Sequence, residues 1–255
     1  MDNATSLPLP LAGVLERHAG RRWLLAQALL LALLAVLLLA VFENTGLDLA
    51  LSQALFDPAL GDFPMHHHWL FERVLHHGMK YASYALVCIA LVPCWLGWKG
   101  ELDWLPRRNA LLAALGMVLI PIGVSLLKSL TNRHCPWDVL EFGGYAPYLG
   151  LLVPGPTDIK AGACFPAGHA AAGFLWLVWG VALRPAGRTW SRLALALGLV
   201  FGAGLGVVRL FQGAHFLSHV LWSAWFAWAL SLALAALLGV DLRLRPGRGG
   251  QERVA

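Results

Sequence analysis

Apolar residues in this chain fall in long unbroken blocks, without the alternating or one-sided patterns of a soluble fold. Six blocks stand out: Trp23–Phe42, Tyr81–Trp98, Ala110–Leu127, Gly168–Leu183, Leu193–Leu210 and Phe216–Val240. A helix needs roughly 20 predominantly apolar residues to cross a bilayer, and only the fourth block is markedly short. The pattern predicts an all-α polytopic membrane protein with six transmembrane helices in one bundle. Residues 43–80 and 131–165 are expected to form short outer helices or loops. The chain then divides into an amino-terminal segment 1–22, a membrane domain 23–240 and a basic tail 241–255. The first block begins late, and acidic and bulky residues follow it, so it reads as a span and not as a cleaved signal peptide.

Composition supports the same class. The chain is 58% hydrophobic and 13% charged, whereas a soluble domain carries about 25% charged residues. A net charge of +5 would suggest nucleic acid for a soluble protein. Here the basic residues flank apolar blocks, so membrane topology accounts for them and no nucleic-acid partner is expected. Lys and Arg collect on the cytoplasmic side of membrane proteins. With the amino terminus inside, that side holds Arg17, Arg21, Arg22, Lys99, Arg107, Arg108, Arg184, Arg188, Arg192, Arg243, Arg245, Arg248 and Arg253, 13 of the 19 basic residues. Both termini are therefore expected in the cytoplasm. Arg73, Lys80, Lys128, Arg133, Lys160 and Arg209 are left outside and call for another explanation.

Several of them stand at span ends. Lys128 closes the third block, Pro166–His169 opens the fourth, Arg209 closes the fifth and His215 precedes the sixth. Any one such side chain can snorkel to the interface. Together, on the face that the positive-inside bias disfavours, they point to a site. Pro166 suits a first helical turn, and Ala167, Gly168 and His169 then offer backbone N–H groups to an anion at a helix start. Lys128, Arg133 and Arg209 add positive charge, and a guanidinium fork holds two phosphate oxygens at once. Phosphoryl transfer further needs a nucleophile and a proton donor, roles that His215 and His169 can divide. No carboxylate cluster suits magnesium, so neither metal nor cofactor is expected.

Three stretches carry a resemblance: "KSLTNRHCP" (Lys128–Pro136), "PAGH" (Pro166–His169) and "VRLFQGAHFLSH" (Val208–His219). In order, spacing and helix-end placement they resemble the signatures of the type-2 phosphatidic acid phosphatase superfamily. That superfamily includes membrane lipid phosphatases and isoprenoid diphosphate phosphatases, and the likeness runs from about residue 23 to 240. It implies a multi-pass protein of the bacterial inner membrane, with a periplasm-facing site and a phosphorylated membrane lipid as substrate. His215 is implied as a nucleophile that becomes phosphohistidine, and His169 as the acid for the leaving group. Lys128 and Arg209 are implied to bind phosphate, assisted by the Gly168 backbone.

Three positions depart from the family pattern. Cys135 replaces an Arg, with Arg133 two residues earlier as a substitute phosphate ligand. Ala167 replaces a Ser, and His219 replaces an Asp. His219 lies one helical turn past His215 and can accept its N–H without supplying negative charge. Asp138 and Asp158 are alternative carboxylates. These departures keep two competitors to hydrolysis open, a lipid phosphotransferase and a non-catalytic lipid-binding or transport relative.

Cys135 and Cys164 both fall in outer loops. An oxidising periplasm permits a disulfide tying the first motif to the second; the alternative is two unpaired thiols. Cys88 and Cys94 read as small core residues of the second span. His66, His67, His68, His76 and His77 crowd the first outer loop, but without regular ligand spacing or a cysteine partner for a metal. An interfacial amphipathic segment is expected there, with Trp69, Leu70 and Phe71 at the headgroups. Trp137, Phe142, Tyr145 and Tyr148 read either as interface aromatics or as a lining for a lipid headgroup.

Overall fold

The computed structural model describes residues 9–244. Residues 1–8 and most of the predicted basic tail, from residue 245, lie outside the described residues. The chain is all-α. Helix α1 runs Leu9–Asn44 and α2 Leu47–Gln53. A π-helix at Leu70–Gly78 continues directly into α3, Met79–Lys99. Then come α4 (Arg107–Thr131), α5 (Gly168–Phe174), α6 (Val178–Ala182), α7 (Arg188–Phe211) and α8 (Leu217–Leu238).

Among the described residues, five helical stretches are long and apolar enough to cross a membrane: Ala19–Asn44, Leu70–Lys99, Arg107–Asp138, Arg188–Phe211 and Leu217–Leu238. The fourth predicted block is shorter. Gly168–Ala182 is apolar but reaches only about 22 Å at 1.5 Å per residue, against roughly 30 Å of hydrocarbon. A single 3₁₀ turn, Leu175–Leu177, joins its two α-helical pieces. The first outer loop also differs from expectation. Residues 70–80 are not a separate interfacial segment; they extend the second span as one continuous helix. Its histidines therefore occupy fixed positions above α3.

Large apolar side chains of α1, including Leu29, Leu33 and Val36, point away from the protein, as lipid-facing residues must when the backbone bonds internally. α1 is tied to α8 by Trp225 Nε1 donating to Leu31 O (2.8 Å) and Trp228 Nε1 donating to Gln27 Oε1 (3.1 Å). At the end remote from the histidines, fully buried Asn109 donates to Ala182 O and Asp241 O and accepts from Asp241 N. That side chain pins the start of α4 to the ends of α6 and α8. α5 and α7 cross in backbone contact. A Cβ on Gly173 would collide with the backbone of Gly202, and one on Gly202 with the Phe174 ring, so small residues permit the approach.

Asp48 of α2 caps α8 across the fold. Its carboxylate accepts from Ser218 N (3.0 Å) and from the Ser218 hydroxyl, satisfying a free donor of the first turn. Burial pushes the Asp48 carboxyl above its ordinary range, against the opposing hydrogen bonds from Ser218 and Tyr148.

Candidate active site

The ends of α4 and α7 and the starts of α5 and α8 meet at one place. Half-buried Lys128, in the last turn of α4, extends over the start of α5; its Nζ lies 3.6 Å from where a Cβ on Gly168 would stand. His169 is the second residue of α5. The loop after α7 brings in buried His215, on which Lys128, Arg209 and His169 all act electrostatically. Ala167 N donates to His219 O (3.2 Å), and the Ser223 hydroxyl reaches both Ala167 O and His219 O, joining α5 to α8. The structure thus gathers His169, His215, Lys128, Arg209, Gly168 and His219.

Arg209 is buried, with Nη1 donating to Gln212 Oε1 (2.8 Å) and the guanidinium 5.6 Å from the Trp137 ring centroid. Its Nε has no hydrogen-bond partner among the described residues. An unsatisfied charged donor of this kind is costly to bury, and a phosphate oxygen would satisfy it. Gln212, fully buried, also donates through Nε2 to Glu72 Oε2 and His66 O, both at 3.4 Å. From the π-helix, His76 packs on His169 with ring centroids 4.1 Å apart, and His169 Nε2 lies 3.4 Å from His76 O. Gln212 and Glu72 escaped the sequence reading, which placed His76 in the first outer loop and not beside His169. Their signals were local: Gln212 stands three residues after Arg209, and Glu72 four before His76.

Nδ1 of His215 lies 3.3 Å from Cys164 Sγ, and Cys164 is bonded to Cys135 in a disulfide with Cα atoms 5.3 Å apart. A disulfide sulfur has no hydrogen and is a weak acceptor, so at this contact Nδ1–H is the donor. Nε2 then carries the lone pair, and no hydrogen bond engages it among the described residues. The same sulfur chemistry makes the 2.9 Å approach of Sγ to Ala214 O a packing contact, and it removes Cys164 from any metal-ligand set with His215 and His219. Burial, followed by Lys128, His219, Arg209 and His169, holds the His215 imidazole well below the ordinary histidine range. The ring is accordingly neutral at neutral pH.

Other expected residues lie elsewhere. Arg133 stands beside His219, but its fork is engaged elsewhere: its guanidinium donates to the carbonyls of Asn132 (3.3 Å), Leu151 (2.8 Å) and Val153. Burial of this loop, with carbonyls to satisfy, claims the fork that sequence proximity assigned to phosphate. His219 stands beside His215, ring centroids 5.9 Å apart at 66°. Among the described residues it does not bond that ring, and its own Nδ1 is buried without a hydrogen-bond partner. Asp138 accepts from Cys135 N at 3.3 Å, so the group against His215 Nδ1 is sulfur and not carboxylate.

The PAP2 superfamily profile matches residues 109–241, more than half of the chain, spanning α4 to α8 and all three motifs. Among solved structures, the chain is similar to the "first transmembrane PAP2 type phosphatidylglycerolphosphate phosphatase from Bacillus subtilis", with 18% identity and a TM-score of 0.48. That alignment covers 89% of this chain and 96% of the other. No curated protein matches. On the family match, the chain belongs to the PAP2 superfamily.

Proposed function

We propose that the protein removes a phosphate or diphosphate group from a membrane lipid through a phosphohistidine intermediate. The observation that carries this reading is the unpartnered Nε of buried Arg209, placed where Lys128, His169 and His215 converge. Lys128 and Arg209 bind the phosphoryl oxygens, with the Gly168 backbone assisting. His215 Nε2 attacks phosphorus while His169 donates a proton to the leaving oxygen. Water, deprotonated by the same His169, then attacks the phosphohistidine and releases phosphate. No step requires a metal at phosphorus.

The membrane domain covers residues 23–240, with Gly168–Ala182 as the fourth and shortest of six crossings. Both termini face the cytoplasm, as the basic residues indicate, and the site opens to the periplasm from the bacterial inner membrane. A site at span ends suits a headgroup arriving sideways from the bilayer. The test is product analysis with purified protein in detergent on phosphatidic acid, phosphatidylglycerol phosphate and undecaprenyl diphosphate. Hydrolysis releases inorganic phosphate in step with donor loss. Donor loss with the phosphoryl group recovered on a second lipid establishes a transferase instead, and no turnover of any substrate removes the enzymatic reading.

His219 supplies a second prediction. In hydrolytic triads a carboxylate beside the working imidazole orients the ring and stabilises its charged form. Restoring it with His219→Asp, next to Lys128 and Arg133, is expected to raise kcat by about tenfold, a fraction of the roughly 10⁴-fold such a carboxylate contributes elsewhere. An unchanged or lower kcat in a folded variant shows that the sulfur contact already supports His215 fully.

A further inference from the structure

Glu72, His76 and His77 take part in no step above, yet they converge. Glu72 Oε1 lies 3.2 Å from His76 Nδ1 and 3.2 Å from His77 Nε2, and the three donor groups lie within 4.8 Å of one another. An ordinary α-helix would not achieve this. At 3.6 residues per turn, position i+5 is rotated about 140° from position i, so His77 would face away from Glu72. The Leu70–Gly78 segment is a π-helix, whose i→i+5 bonding widens the turn and returns both i+4 and i+5 over residue i. Such helices are rare and concentrate at functional sites.

The donor set is specific. Two imidazoles and one carboxylate are the ligands of open zinc sites, which leave a fourth position to water or another ligand. Bonds of about 2.0–2.2 Å in a tetrahedron put donors roughly 3.3 Å apart, the spacing found from Glu72 to both histidines. The same sequence arrangement occurs ten residues earlier, where Asp62 precedes His66 and His67 by four and five positions. Those donors also cluster, at 3.0 Å for His66 and 3.8 Å for His67. Counting the carboxylates with the histidines reveals a regular spacing that the histidines alone conceal. The second cluster is the tighter one, and it touches the phosphate site. His76 packs on His169, and Glu72 accepts from the Gln212 that holds Arg209.

We propose that Glu72, His76 and His77 bind a divalent transition-metal ion of the zinc class at the rim of the phosphate pocket. The site is half-exposed, with His77 54% and Glu72 42% accessible, so an ion can reach it from water. Bound there, it adds positive charge beside Arg209 without contacting phosphorus. Binding does not depend on the reaction proposed above and is measured without it.

The experiment uses full-length, tag-free protein in detergent, stripped with a chelator and titrated calorimetrically with Zn²⁺. Co²⁺ is added in parallel as an optical probe of coordination. The parent binds zinc, and Co²⁺ develops the visible bands of a low-coordinate site with imidazole donors. His77→Ala loses one equivalent of zinc relative to the parent. Glu72→Gln, which keeps the side chain's shape, gives the same loss, while neighbouring Arg73→Ala retains the parent's stoichiometry. A parent that takes up no zinc, or a folded His77→Ala variant that binds as much as the parent with equal affinity, overturns the site. The cluster is then a histidine–glutamate ion pair only.

Discussion

Exchange of His215 for alanine is expected to cut phosphate release by on the order of 10⁴-fold or more, because the covalent intermediate can no longer form. His169→Ala should lose about 10²–10⁴-fold on a lipid phosphate, the usual worth of a positioned acid. It should lose far less on an aryl phosphate, whose leaving group departs without a proton. That contrast separates the two imidazoles by chemistry and not merely by the size of the loss. The double variant should be no slower than His215→Ala alone, since residues acting on one transition state are not additive. Initial rates in detergent, with folding checked by circular dichroism, provide the measurement. Equal release by parent and both single variants would remove the two histidines from the reaction.

Loss of the Cys135–Cys164 bridge is the other large expected effect. It closes a loop of sequence separation 29, and on the chain-entropy account removing such a cross-link costs roughly 3–4 kcal/mol. It also carries the sulfur that packs 3.3 Å from His215 Nδ1, so freeing it releases the ring of the proposed nucleophile. Misplacement by about an ångström can cost 10²-fold. The Cys135→Ser/Cys164→Ser chain should therefore unfold at lower temperature, and its kcat should fall by up to about 10²-fold. Mild reductant applied to the parent should reproduce both effects. A reduced protein with the parent's kcat and unfolding temperature would show that the bridge neither stabilises the loops nor positions His215.

Long apolar runs made the spans readable, because hydropathy over about 20 residues depends little on tertiary context. Lys128, His169, Arg209 and His215 were legible for a related reason. Each stands at a span end, and ends of neighbouring spans meet. The π-helix was not legible. Its polar, histidine-rich residues interrupt the hydropathy signal, and its apolar positions, Leu70, Phe71, Val74 and Leu75, read as one face of an ordinary amphipathic helix. The partners of Arg133 were not legible, because sequence proximity to a motif does not reveal which carbonyls a guanidinium will find. Glu72 reaches Arg209 only through Gln212, a link that exists once α7 and the π-helix pack together. Those contacts also lie partly beyond residues 109–241, so the family profile does not cover them.

The meeting of Gly173 with Gly202 fixes more than a crossing angle. It couples the short stretch beginning at Gly168 to the long helix ending near Arg209 with no side chain between them to yield. His169 and Arg209 therefore travel as a single stiff body. Any widening that admits a lipid headgroup must come from surrounding helices that lack this backbone-to-backbone seam.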